Sequence, residues 1–441
     1  MTNRVVITGA GILSPFGIGM DEFWSAIAVQ KSGLSEISRL SDTALPGNVA
    51  GELKELSDKS ARNYLTRTQK KSKKVMCREI LLGVISANLC IDQSGLDVET
   101  PDAIDHERLG IAFGANQMFS PPEVLGEGVY AKDDADNLAV CSDDGRFLFD
   151  QWGEYGLRRM DPLWLLKYLP NMPACHIGIR AEARGPNNSL TLAEASGNSA
   201  LGEAFRIIAR GRADMMLCGS TGSRIHPVKC LHAALSEELA EYDDDPATWC
   251  RPFDATRRGQ VVGEGACTFL FEKESHATAR GADVLGTVLG AGSSCVLGID
   301  GVPNHRMALS NAMKSAMRDA DISPADIGHI NAHGLGEQQS DLAEANAIQD
   351  VFGDRAATVP VTAPKSFLGN SGAACGTLEL AASLCGLKQG VVPATISCEN
   401  PDEACGLNIV RGDVLPVQNK TVLNVNVTAS GQAAALVICG A

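Results

Sequence analysis

The chain has 441 residues, 44% of them apolar, with 45 glycines and 5% aromatics. That is too long for one ordinary core and suits a tightly packed α/β protein of two domains or two fused halves. A net charge of −15 argues against nucleic-acid or anionic-membrane binding, and no stretch reaches the apolar length of a membrane span. The N-terminus shows no signal-peptide pattern, and the 14 cysteines are scattered without a CxxC pair or a His/Cys cluster at ligand spacing. The expectation is a cytoplasmic protein with reduced thiols and no metal.

In chain order, Arg4–Gly11 (RVVITGAG) reads as an apolar strand closing on glycine. It lacks the third glycine and immediate helix of a phosphate-binding loop. Met20–Gln30 follows as a helix. Arg67, Lys70, Lys71, Lys74 and Arg78 recur at helical steps and predict one basic face, either simply solvated or a dock for an acidic partner. Residues 121–160 read as an elaborated loop region broken by Asp133, Asp134, Asp136, Asp143 and Asp144, with Phe147, Phe149 and Trp152 to bury. Met160–Arg180 is rich in Leu, Trp and Met and predicts buried helix and dimer-facing surface.

Ser189–Phe205 (SLTLAEASGNSALGEAF) alternates like a strand, breaks at Ala195-Ser196-Gly197, then takes helical spacing that ends near Gly211. Its corner residue, Glu194, stands over a helix N-terminus, where negative charge is favoured. Ala213–Gly219 predicts a strand, and Cys250–Glu272 a polar turn leading into a glycine-punctuated strand. A second series opens at Ala282–Gly290. It continues with helix 306–320, strand and loop 327–336, helix 341–352, loop 364–377, helix 378–389 and strands 420–427 and 433–439. The repeat of strand, turn and helix predicts two similar α/β halves, 1–274 and 275–441.

Several stretches together carry a resemblance over nearly the whole length: RVVITGAGILSPFG, DEFW at 21–24, RPFD at 251–254, VVGEGA at 261–266, NAHG at 331–334 and KSFLGNSGAACGTLE at 365–379. The chain resembles the elongating β-ketoacyl-[acyl-carrier-protein] synthases of the thiolase fold. The resemblance implies an α/β fold of two pseudo-symmetric halves stacked in five layers, αβαβα. It also implies a dimer and an acyl carrier protein as partner; the phosphopantetheine rides on that partner, so the chain itself needs no cofactor.

In that family a corner cysteine holds the acyl chain, two histidines bind the malonyl thioester and its enolate, and a lysine–glutamate pair supports them. Carried over, these fall on Glu194, His333, Asn370, Lys365 and Glu379, so two of the three central groups are changed. The threonines after the first histidine correspond to Leu335 and Glu337. The glycine-rich loop that gates the acyl pocket and helps form the oxyanion hole matches Val427, Thr428, Ala429, Ser430 and Gly431, with Ala429 in the place of the gating ring. The basic stripe lies where the family docks its carrier protein.

A carboxylate could hold an acyl chain only as a mixed anhydride, far higher in energy than a thioester, so ping-pong condensation through residue 194 is rejected. Ser196, Ser199 and Cys375 are poor candidates for a displaced nucleophile. Asn370 still carries an amide donor, and such donors to an enolate are worth roughly 2.7–4 kcal/mol each. Structural readings compete: Glu194 as a helix N-terminal acid worth about 0.3–1 kcal/mol, His333 as a buried relic, Lys365–Glu379 as an ion pair of the fold.

The resemblance and its departures favour a chain-length-factor-like subunit partnering a cysteine-bearing ketosynthase and binding acyl chain or carrier protein. The alternative is an enzyme using Glu194 and His333, either a malonyl-thioester decarboxylase or a non-standard condensing or acyl-transfer enzyme. A self-paired scaffold is the third reading. At the gate, loss of the ring at Ala429 is expected either to open the acyl channel or to be filled by the 145–170 insert.

Overall fold

The computed structural model describes residues 3–100, 102–133 and 137–441; Asp134 and Asp136 of the insert lie outside the described residues. Ten strands form the frame: β1 Val5–Ser14, β2 Leu109–Ala115, β3 Asn187–Leu190, β4 Met215–Ser223 and β5 Glu264–Lys273 in the first half. The second has β6 Gly286–Cys295, β7 His329–Asn331, β8 Pro360–Thr362, β9 Thr421–Val427 and β10 Gln432–Gly440. The first five lie in the order β3-β2-β4-β5-β1 and the second five in the order β8-β7-β9-β10-β6. Parallel pairing gives way to antiparallel at the same step of each series. Such identity of order and direction is the duplication that strand–turn–helix spacing predicts. The two sets meet at a short antiparallel pairing, Val5–Ile7 against Gly286–Val288.

The main helices are α1 Met20–Ala28, α2 Arg67–Ser72, α3 Arg78–Ser94, α4 Met172–Ala181, α5 Ser196–Ala209, α6 Pro227–Ser236, α7 His305–Asp319, α8 Gln338–Phe352 and α9 Cys375–Lys388. α3 and α4 cover the outer face of the first half, and α7 with α8 that of the second. Between the sheets lie α5 and α9, whose Leu201, Ala204, Leu378 and Ala381 join Ile7, Phe269, Val422 and Leu436 in one core cluster. These are the five layers αβαβα. α9 is buried from Cys375 to Leu387, as a helix sandwiched by two sheets must be, and apart from Glu379, which pairs with Lys365, the residues of that buried span are apolar or small on every side.

The two central helices are each 14 residues long, and each follows a three-residue 3-10 turn, Ala193–Ala195 and Gly372–Ala374. Each turn opens on a left-handed residue, Ala193 (φ 41°) and Gly372 (φ 69°). Glycine adopts that conformation freely and alanine does so at a cost; the strained copy is the one that carries Glu194. Helix α9 begins three residues before the sequence periodicity indicates, because small residues there allow the close approach of α5. A Cβ at Gly376 would stand 3.0 Å from Asn198 of α5 and 2.4 Å from Asn426 Oδ1 of β9.

Two sequence readings are corrected. The basic run is not one helix face: α2 ends at Ser72, a 3-10 turn spans Lys73–Val75, and Arg78 starts a separate helix. In the insert, Phe147 packs against Trp152 with ring centroids 5.5 Å apart, but Phe149 is 81% exposed rather than buried. The turn Trp164–Tyr168 of this region packs on Lys73–Val75. Leu163, Leu165 and Ile179 are exposed in the single chain.

Candidate active site

The corner is built by the strain at Ala193 and braced by Ser196, whose Oγ accepts the Leu192 N–H at 2.8 Å. That bond and full burial remove Ser196 as a nucleophile. Glu194, half-buried, extends toward the 365–375 segment, where its Oε1 accepts a hydrogen bond from Asn370 Nδ2 at 3.1 Å. Its partner is thus Asn370, and no hydrogen bond joins it to His333.

Asn370 has no hydrogen-bonding capacity left over. Nδ2 donates to Glu194 and, at 2.7 Å, to Gln260 Oε1; Oδ1 accepts from Gly372 N at 2.8 Å and from Cys375 Sγ at 3.2 Å. An amide has two N–H donors and two lone pairs, and all four are engaged. The backbone is tied as firmly, bonded to Val261 O and Gly263 N at 2.7 and 2.8 Å. Both donors of the amide are therefore engaged within the folded chain. Cys375 is buried, and burial, stronger than the opposing Lys365 cation, pushes its thiol up to about 11, which leaves it unreactive.

Gln260 links this cluster to Glu337 and to Arg224, the latter absent from the sequence reading. Its Oε1 also accepts from Arg224 Nη1 at 2.9 Å, and its Nε2 donates to Glu337 Oε1 at 2.8 Å. Arg224 is paired with Glu237. Gln260 sits between RPFD and VVGEGA in sequence, but no spacing announces a side chain that spans two loops.

His333, Lys365 and Glu379 do meet. Lys365 Nζ bonds Glu379 Oε1 at 2.5 Å, the His333 carbonyl at 2.6 Å and His333 Nδ1 at 3.1 Å, all within groups no more than 2% exposed. Burial opposes the lysine charge, but the Glu379 carboxylate overrides it and holds the ammonium protonated. Burial and then the Lys365 cation hold His333 well below its usual pKa. The ring is neutral; with an ammonium donating to Nδ1, its proton sits on Nε2. Asn426 Nδ2 donates to Glu379 Oε2 at 2.8 Å, and Asn426 Oδ1 accepts from Asn198 Nδ2 at 2.8 Å. These two asparagines, on β9 and α5, are further site residues that the sequence reading passed over.

The loop carrying His333 is held by carboxylates of α8. Glu344 accepts the His333 and Gly334 N–H groups at 2.7 and 2.8 Å, and Asp341 those of Leu335 and Gly336 at 2.9 and 3.1 Å. With Glu337 they recur at steps of four and three on one helix face. Burial raises all three, Glu337 to about 7, Asp341 to about 6 and Glu344 to about 7. For Glu337 the folded chain keeps a proton that the unfolded chain has lost between its ordinary 4.5 and about 7, so its ionisation lowers stability as pH rises through that window. Glu337→Gln is therefore expected to match the parent chain below pH 4.5 and to exceed it by about 1–2 kcal/mol above pH 7, discounted for partial exposure. Urea unfolding at the two pH values reads the difference.

The 427–431 loop is a tight turn between β9 and β10. Thr428 is buried, its N–H bonds Gln432 O at 2.9 Å, and its Oγ1 meets Ser430 Oγ at 2.9 Å. Val427 closes β9; Ala429 and Ser430 are exposed, and the Ala429 carbonyl accepts from His305 Nε2 at 3.2 Å. Arg67, Lys70, Lys71 and Lys74 are exposed, as a docking patch requires. Arg78 is not part of it. Its guanidinium pairs with fully buried Glu264 at 2.7 Å and bonds Leu53 O at 2.8 Å. Arg78→Ala is expected to cost about 1.5–3 kcal/mol in urea unfolding, the loss of charge-assisted bonds to a buried carboxylate that still keeps Arg39 at 3.0 Å. Lys70→Ala and Lys71→Ala should leave stability within about 0.5 kcal/mol.

Fold and site together fit the family that the sequence resembles, and the comparisons give that family. Residues 2–277 match the family described as beta-ketoacyl synthase, N-terminal domain, and residues 285–399 its C-terminal domain. The chain belongs to the beta-ketoacyl synthase family. It is 31% identical over 443 residues to the tetracenomycin polyketide synthase ketoacyl synthase alpha subunit of Streptomyces glaucescens, with 99% of this chain and 96% of that one covered. It is 29% identical over 422 residues to 3-oxoacyl-[acyl-carrier-protein] synthase 2 of Coxiella burnetii, covering 96% of this chain and 94% of that one. Among solved structures, the ishigamide ketosynthase/chain length factor superposes with a TM-score of 0.83 at 25% identity, both chains fully covered. A type II polyketide acyl-carrier protein in complex with its ketosynthase matches at 0.81 and 24%, again over both whole chains. No helix among the described residues is long and apolar enough to cross a membrane.

Proposed function

We propose that this chain is a non-condensing, chain-length-factor-like subunit that pairs with a cysteine-bearing ketosynthase and binds its acyl chain or acyl carrier protein. The observation that carries this is the saturation of Asn370. With Glu194 at the corner there is no thiol to acylate, and with both Asn370 donors engaged one of the two enolate-stabilising positions is filled by the protein itself. An ionised Glu194 would in addition repel a malonyl carboxylate. The likeness to a ketosynthase/chain length factor and to a polyketide ketosynthase supports the pairing. The exposed cations Arg67, Lys70, Lys71 and Lys74 give the carrier protein, with its phosphopantetheine, a place to dock. The exposed Leu163, Leu165 and Phe149 suit a subunit interface.

The retained His333–Lys365–Glu379 set favours a second reading, malonyl-thioester decarboxylation. Purified chain incubated with malonyl-carrier protein separates the two. The subunit reading expects no acetyl-carrier protein by mass, and co-purification with a cysteine-bearing ketosynthase. Steady acetyl-carrier protein formation that disappears in Glu194→Gln or His333→Ala establishes the decarboxylase instead.

A further inference from the structure

On the side of α9 turned away from Glu379, a cavity of about 320 Å3 enters the core between the two sheets. Ala381, Leu384, Cys385 and Lys388 recur at helical steps, so one face of α9 forms a wall, while Cys375 and Glu379 fall on the opposite face. The facing wall is Ala10 and Ile12 of β1 and Phe269 of β5, with Ala10 and Phe269 in register across the two strands. Ile12 and Phe269 are fully buried, and the apolar residues of both walls belong to the central core cluster. Met20 at the start of α1 and Leu285 before β6, both half-buried, complete the sides. The exposed Asp283, Val284 and Lys388 stand at the mouth. The cavity shares no residue with the Glu194 cluster.

Protein interiors pack as densely as organic crystals, and voids larger than a water molecule are few. Here small residues make one: Ala10 on the sheet and Ala381 on α9 leave room that larger apolar residues would close. Among the described residues, no buried side-chain polar atom of the walls lacks a hydrogen-bond partner. Water inside would find few bonds, and apolar cavities of this kind stay dry and take apolar guests. Charge is disfavoured as well. Burial raises the Cys385 thiol to about 12 and keeps it neutral, while Lys388 and Asp21 act on it with opposite signs. With Asp283 also at the mouth, an ionic group of either sign would meet its like as well as its opposite, and further in it would lose its water. We propose that this cavity binds a small, uncharged hydrocarbon-like molecule. A cavity of about 150 Å3 takes benzene, so this one has room for about ten carbon atoms. Such a site is independent of the subunit role.

Three probes that share a ring and a four-carbon chain test it on the full chain: butylbenzene, 4-phenylbutyrate and 4-phenylbutylamine. Ligand-observed NMR titration is expected to give butylbenzene an affinity about tenfold or more above either charged relative. Saturating butylbenzene should also raise the melting temperature, because it binds the folded chain alone. Ala381→Leu fills the cavity from α9 and should weaken butylbenzene about tenfold or more. Should that variant fail to fold, Cys385→Met fills the same space with a more adaptable side chain and carries the same expectation. Equal or tighter binding of a charged probe, or undiminished butylbenzene affinity in a folded, filled variant, overturns the proposal. So does a crystal grown with butylbenzene whose ligand density lies outside the space between Ala10 and Ala381.

Discussion

Glu194→Cys alone is expected to accept an acyl group yet fail to elongate it. A thiol at the start of α5 regains a nucleophile that helix N-terminal N–H groups activate. The other half of the reaction needs a donor aimed at the enolate. Loss of Glu194 releases one Asn370 N–H, but the amide stays fixed by Gln260, Gly372 and Cys375 in the orientation that faced residue 194. Glu194→Cys combined with Asn370→His should therefore condense about 10²–10³-fold faster than Glu194→Cys, the effect of one preorganised donor. Single-turnover assays with acyl- and malonyl-carrier protein measure the ratio. Equal rates in the two variants would show that Asn370 is no obstacle.

Lys365→Met is expected to lower stability by about 3–5 kcal/mol, because Glu379 would be left as an uncompensated buried carboxylate. Both groups are 1% exposed, and Glu379 retains only Asn426 as a side-chain partner once the lysine is gone. Replacing both, Lys365→Met with Glu379→Leu, should recover much of that loss, since a buried ion pair contributes little beyond an apolar pair of similar volume. Urea midpoints for the two variants decide it. A Lys365→Met chain as stable as its parent would mean that the carboxylate is already protonated and neutral.

What the sequence made legible and what it hid divide along one line. Strands of continuous apolar residues, such as Val5–Ser14, and helices with clear periodicity, such as His305–Asp319, depend on local pattern and fall close to their expected places. The corner at Glu194 was visible because small residues interrupt a period there. The Arg78 error has the same root: helical spacing continues across residues 67–78, but Lys73–Val75 tightens into a 3-10 turn and points Arg78 at Glu264, 186 positions away in the chain. Gln260, Asn198 and Asn426 escaped for the converse reason. Their contacts cross from loop to loop or from helix to strand and leave no periodic trace. Resemblance correctly placed Asn370 beside Glu194, but only the four bonds of its amide show that its donors are unavailable.

The most direct test of the account is intact-protein mass spectrometry of the chain co-purified with a cysteine-bearing ketosynthase, after incubation with acyl- and malonyl-carrier protein. The acyl mass is expected on the partner alone, with this chain at its unmodified mass. An acyl adduct on this polypeptide that is consumed on adding malonyl-carrier protein, with release of an elongated product, would contradict it.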